Sequence, residues 1–120
     1  NHLMKKDDWK MTFEQARAHL DSGGIFVFDV LTTGRFAELP HKTPIESNGI
    51  TINAALSDPT HIVWTITKGA CTYATLSETT FPLAEIKAMI KPHFDTIVAT
   101  DIRGNPVSDT ASRAYFVCTQ

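Results

Sequence analysis

At 120 residues the chain has the length of one domain, and 42% hydrophobic residues are enough to bury a core without cross-links or metals. A net charge of −2 with 20% charged residues excludes a disordered chain and long-range attraction to nucleic acid. No apolar run reaches a membrane span and Asn1 to Lys10 is polar, so a cytoplasmic protein without membrane helix or secretory signal is expected.

Residues 1–11 are expected to form a flexible lead, with Asn1-His2-Leu3 a remnant ahead of a natural start at Met4. Residues 12–120 then form a single globular domain. Thr12 with Gln15 three residues later is a capping-box pattern, and Phe13, Ala16 and Leu20 follow at helical spacing. Ser22-Gly23-Gly24 closes that helix, and Ile25 to Val30 is the first strand. Thr32 to Gly49, holding Pro40 and Pro44, reads as one long loop.

Ile50 to Leu56 predicts a second strand. His61 to Thr67 and Cys71 to Leu76 predict a hairpin around Lys68-Gly69-Ala70. If Ile66 faces Thr72, then Ile62, Trp64, Ile66, Ala74 and Leu76 share one apolar face. Pro82 to His93 is the best helix, with Leu83, Ile86, Met89 and Ile90 as its buried stripe. Thr96 to Ile102 predicts a strand carrying Asp101 near its end. The last segment stays open: Asp109 caps a helix burying Ala111, Ala114, Tyr115 and Cys118, or Ala114 to Thr119 is a strand. The expected class is α+β, a single domain with a central mixed or mostly antiparallel sheet of about five strands and two to three helices packed on it.

Cys71 and Cys118 are expected to be free thiols, and no Cys-x-x-Cys or His-x-x-x-His spacing offers a zinc site. Thr32, Thr33, Gly34, Arg35, His41 and Lys42 collect hydroxyls, an amide and cations that could hold a phosphate or carboxylate, or form a solvated loop. Trp9 and Phe36 are apolar residues in polar settings, either core anchors or part of a partner surface.

Asp29-Val30-Leu31-Thr32-Thr33-Gly34 resembles the first motif of the DEDD 3′–5′ exonucleases, D-x-E-T-T-G, with Leu31 in place of the glutamate. The order of strands, helix and a strand ending at Asp101 resembles the wider ribonuclease-H-like group, integrase cores included. That resemblance implies Asp29 and Asp101 as metal ligands, Glu85 as a third, Mg or Mn as cofactor and nucleic acid as substrate. Such chemistry needs clustered carboxylates to neutralise two cations. Leu31 removes one of them, because residues two apart on a strand would point at the same metals.

No catalytic set is complete. The leading expectation is therefore a non-enzymatic binding or regulatory domain without a cofactor, acting through a protein–protein surface on a partner or as a homodimer. The alternatives are a metal-dependent nuclease of ribonuclease-H-like fold and a small anion-binding domain.

Overall fold

Alternating apolar and polar residues build two antiparallel sheets rather than one. A computed structural model describes all 120 residues. In chain order the elements are α1 (Lys6–Ala18), β1 (Ile25–Leu31), α2 (Thr33–Glu38), a 3₁₀ turn (Leu39–Lys42), β2 (Ile45–Ser47), β3 (Ile50–Asp58), β4 (His61–Lys68), β5 (Cys71–Thr79), α3 (Leu83–Ile90), β6 (Thr96–Thr100) and β7 (Arg113–Thr119). The first sheet has the order β1-β7-β6 and the second the order β2-β3-β4-β5. The α+β class holds, with seven strands in sheets of three and four. No helix is long and apolar enough to cross a membrane.

The larger core lies on one face of the first sheet. Phe26, Phe28 and Val30 of β1 and Ala114, Phe116 and Cys118 of β7 point to that face, where Trp9 and Phe13 of α1 and the Leu83-Ile86-Met89-Ile90 stripe of α3 cover them. Phe116 stacks on Phe28 at 4.8 Å between ring centroids. A smaller core holds Phe36 and Leu39 against Ala54 and Ile62, with Leu31 and Trp64 at its margin. Trp9 and Phe36 are thus core anchors. Both cysteines are free, Cys71 exposed and Cys118 buried, and burial pushes the Cys118 thiol up to about 11.

Local chemistry explains where elements begin. The first helix starts at Lys6, not at Thr12. Asp7 and Asp8 complement its dipole, and Trp9 and Phe13 lie one turn apart on the buried side. Thr12 sits inside the helix, its hydroxyl donating to the Asp8 carbonyl at 2.8 Å. The expected Thr32–Gly49 loop instead holds α2, the 3₁₀ turn and β2. Thr32 caps α2 by accepting the Arg35 N–H at 3.1 Å, and Pro40 falls in the first turn of the 3₁₀ segment, where its missing donor is no loss.

The segment left open as helix or strand is β7, which pairs antiparallel with both β1 and β6. The ribonuclease-H-like order expects a helix over residues 110–119, and a strand there gives the antiparallel sheet instead. In the second sheet Ile66 faces Ala74 rather than Thr72, with a bulge between Ile66 and Thr67. The shift is two residues, so the expected apolar face survives.

The two sheets lie end to end. The radius of gyration is 16.5 Å and the extents are 53 × 27 × 25 Å, against about 14 Å for a compact domain of this length.

Truncating Phe116→Ala is expected to cost about 3–5 kcal/mol in urea unfolding, because a fully buried stacked ring leaves a cavity. At the β3–β4 turn, hydrogen bonds from His61 and then Thr60 hold the Asp58 carboxyl at about 2. A depressed acid adds stability above its unfolded pKa and loses it as pH falls through the folded one. Asp58→Asn should therefore flatten the stability profile between roughly pH 4 and pH 2. Carboxyl NMR of the parent should show the Asp58 midpoint near the lower end.

Candidate functional site

The strand β1 leaves the first sheet at Leu31 and turns at once into α2, and the surrounding groups converge on that exit. Thr32, fully buried, donates its hydroxyl to the Ala111 carbonyl while capping α2. Gly34 donates its N–H to the Asp109 carbonyl at 2.9 Å. A Cβ on Gly34 would lie 2.3 Å from that same oxygen, so only glycine lets the two backbones approach. The Asp109 carboxylate reaches the other way and accepts the Leu83 N–H at 2.8 Å, capping α3 rather than a helix of its own.

The second sheet is fastened to the same point. Asn1 donates from its side chain to the Thr79 carbonyl at 2.8 Å and accepts the Leu31 N–H at 2.9 Å. Thr80, fully buried, donates to the Leu31 carbonyl at 2.6 Å. Thr79 donates its hydroxyl to the Leu3 carbonyl. Asn1 to Leu3 thus lie between the sheets, where a flexible lead was expected.

Glu78 stands at this junction, one residue before the fastening point. Its side chain is only 14% exposed. It accepts the Trp64 indole N–H at 2.7 Å, and the His2 imidazole Nε2 lies 3.6 Å from its other oxygen. Trp64 and Glu78 occupy the apolar face of the second sheet on diagonal positions of β4 and β5, since Trp64 pairs with Leu76. Leu31 and Trp64 supply the apolar margin. A shielded carboxylate beside an indole and an imidazole can accept a proton from a bound O–H or N–H group. It is the chain's most developed arrangement for chemistry.

The residues expected to bind ligands are placed otherwise. The Thr32 hydroxyl and Gly34 amide are bonded within the chain, as above. Arg35 and Lys42 both reach Glu38, at 3.3 and 3.1 Å, and the hydrogen bond from Lys42 leads in holding that carboxyl below its ordinary range. Thr33 is half-buried and His41 exposed at the two ends of this segment.

The metal set does not assemble. Asp29 pairs with Arg113, Glu85 with Lys6 at 2.5 Å, and Asp101 accepts backbone N–H groups of Asn105 and Arg103 in the turn after β6. Those bonds, with Asn105 foremost, lower the Asp101 pKa. No group of three His, Cys, Asp or Glu side chains could hold a metal ion.

Sequence reasoning passed over Glu78, Trp64 and His2 as a set. The one signal was a charged residue at the end of the apolar alternation Ala74, Leu76, Glu78.

No family model matches the chain, and no curated protein matches it. Its fold is similar to the crystal structure of an S-adenosylmethionine-dependent methyltransferase from Clostridium acetobutylicum ATCC 824. The TM-score is 0.76 at 17% identity, over 99% of this chain and 53% of that one. It is also similar to the CcbJ methyltransferase from Streptomyces caelestis, with a TM-score of 0.61 at 14% identity over 98% of this chain and 55% of that one. The chain spans about half the length of each, and at these identities the likeness establishes the fold.

The ribonuclease-H-like assignment is corrected accordingly, with its ligands Asp29, Glu85 and Asp101 and its Mg or Mn. The expectation of a non-enzymatic binding domain without a cofactor is corrected on the same ground, because the matched folds are those of methyl-transferring enzymes.

Replacing Gly34→Ala should lower stability by about 2–4 kcal/mol in chemical unfolding, since backbone rather than a flexible side chain blocks the new methyl. Near-neutral behaviour would show that the β1–α2 turn is not fixed by Asp109.

Proposed function

We propose that this chain is the acceptor-handling part of an S-adenosylmethionine-dependent methyltransferase. The observation that carries the reading is the likeness, over 99% of the chain, to an enzyme of that activity about twice as long.

The chain's own residues do not fit the cofactor. A nucleoside ligand with a charged tail is held by a glycine-rich turn between a strand and a helix, with a carboxylate for the ribose hydroxyls. The strand-to-helix turn after β1 has one glycine, Gly34, whose amide is spent on Asp109 and whose open side is filled by Asp109 and Thr110 backbone. Gly23 and Gly24 lead into a strand instead. The cavity beside β1, lined by Asn1, Trp9, Phe13, Phe28 and Asp29 among others, holds about 110 Å³, well short of the roughly 300 Å³ at which small-molecule sites begin. The larger depressions lie on the helical side, away from the junction. The cofactor therefore belongs to structure outside these 120 residues.

The chain's contribution is the acceptor side. Leu31 and Trp64 offer an apolar and aromatic wall, and Glu78 offers the shielded base. Such a site suits an acceptor with a hydrocarbon or aromatic body and one proton-bearing oxygen or nitrogen. Glu78 takes that proton as the nucleophile reacts.

The test is a hybrid polypeptide in which this chain replaces the matched region of the Clostridium methyltransferase. It should bind S-adenosylhomocysteine in calorimetry and transfer label from S-adenosylmethionine to members of a phenol, amine and carboxylate panel. Glu78→Gln should lower kcat about 10²–10⁴-fold with little change in KM. A folded hybrid that binds no S-adenosylhomocysteine would overturn the reading.

A further inference from the structure

The second sheet has a polar face and an apolar face, and the apolar one is only partly covered. Thr51, Asn53, Thr65, Thr67, Thr75 and Ser77 lie on the polar side. On the other side Ile45, Ile52, Ile66 and Ala74 stand in direct register across all four strands, beside the row Ala54, Trp64 and Leu76. Phe36 and Leu39 cover that face where Ala54 and Ile62 lie. Beyond them Ile45, Ile50 and Leu76 are 51, 40 and 48% exposed.

This open apolar strip has a charge at each end. Apart from His61, the charged side chains of β4 and β5 are Lys68 and Glu78, and both belong to this face. Glu78 pairs with Ile62, six residues along β4 from Lys68, which sets the two about 20 Å apart along the strand. Glu78 is shielded and bonded to the Trp64 indole. Lys68, in register with Ile50, is exposed and makes no ion pair. Lysine is depleted from the cores of protein interfaces, whereas small-molecule sites join an apolar wall to a few placed polar groups. The strip has the second character.

We infer that the acceptor is a long-chain carboxylic acid bearing a hydroxyl or amine at its far end, laid along β4. Its hydroxyl or amine meets Glu78, its chain covers Trp64, Leu76, Ile66 and Ile52, and its carboxylate reaches Lys68. This rests on the methyltransferase reading for the role of Glu78, and it adds the length of the acceptor and its second charge. A small ring compound would stop at Trp64 and leave the Ile52-Ile66 row in water. A saturated chain removes that row from water along its whole length, which is where the apolar surface is available. Lys68 then gains the partner that the chain itself does not give it.

Methyl NMR titrations of the full chain and of the hybrid separate the outcomes. ω-Hydroxydodecanoate, below its micellar concentration, should shift the Ile52, Ile66 and Leu76 methyl signals saturably. ω-Hydroxybutanoate should not, being too short to join Glu78 to Lys68. Lys68→Gln should weaken binding of the long acid about fivefold, the worth of one exposed ion pair, and leave the melting temperature unchanged. The methyl ester of the long acid has the length without the charge, so it should bind the parent and Lys68→Gln equally. Acid and ester that bind the parent alike, or methyl signals that do not move, would overturn the inference. A hybrid that binds S-adenosylhomocysteine while the long acid leaves those methyls unmoved would overturn it and keep the functional reading intact. Saturable, Lys68-dependent binding in a hybrid that takes up no S-adenosylhomocysteine would uphold the ligand and remove the functional reading. A full chain dimeric in light scattering, with Ile66 and Leu76 methyls in contact across the dimer, would assign the face to a second copy and overturn the inference.

Discussion

The close approach of Gly34 to the Asp109 backbone is the constraint on which the rest of the molecule turns. It lets β1 pass from the first sheet straight into α2, and it brings the chain after β6 under that turn. Asp109 then caps α3, so one residue sets the position of the helix that covers the larger core and of the helix that covers the smaller one. Leu31, held at the same exit by Asn1 and Thr80, ties the second sheet to the first. Without this node the two sheets would share little, since each has its own hydrophobic cluster.

Glu78 follows from that arrangement. A carboxylate at the end of an apolar strand face would ordinarily reach solvent, but β5 ends here against Asn1, Leu3 and β1, and the side chain is enclosed with Trp64 and His2. Enclosure thus holds the carboxylate against an indole and an imidazole in place of solvent.

The Asp29 motif shows how a short pattern misleads. An aspartate near the end of a buried-looking strand followed by Thr-Thr-Gly suggests a metal or anion site, yet each group has a structural use. Asp29 meets Arg113 across the β1–β7 pair, Thr32 caps a helix and bonds Ala111, and Gly34 makes room for a backbone. Arg35 and Lys42 serve Glu38 within one helical turn and its continuation. Chemistry-bearing residue types are also what turns and caps are made of, so spacing alone cannot separate the two uses.

Local patterns determined much of what is seen: the α+β class, the stripe of α3, the first strand and the hairpin with its apolar face, all from contacts within a few residues of one another. Thr12 misplaced the start of α1 because a capping pattern carries no information about Trp9, whose burial depends on β1 and α3. Whether residues 113–119 are strand or helix was decided by pairing with β1, 82 to 94 positions earlier, which no window of sequence contains. The split into two sheets, the node at Gly34 and Asp109 and the enclosure of Glu78 are likewise products of tertiary structure. Each joins residues far apart in the chain, where the free energy comes from packing and backbone pairing between elements rather than from any preference of the residues themselves.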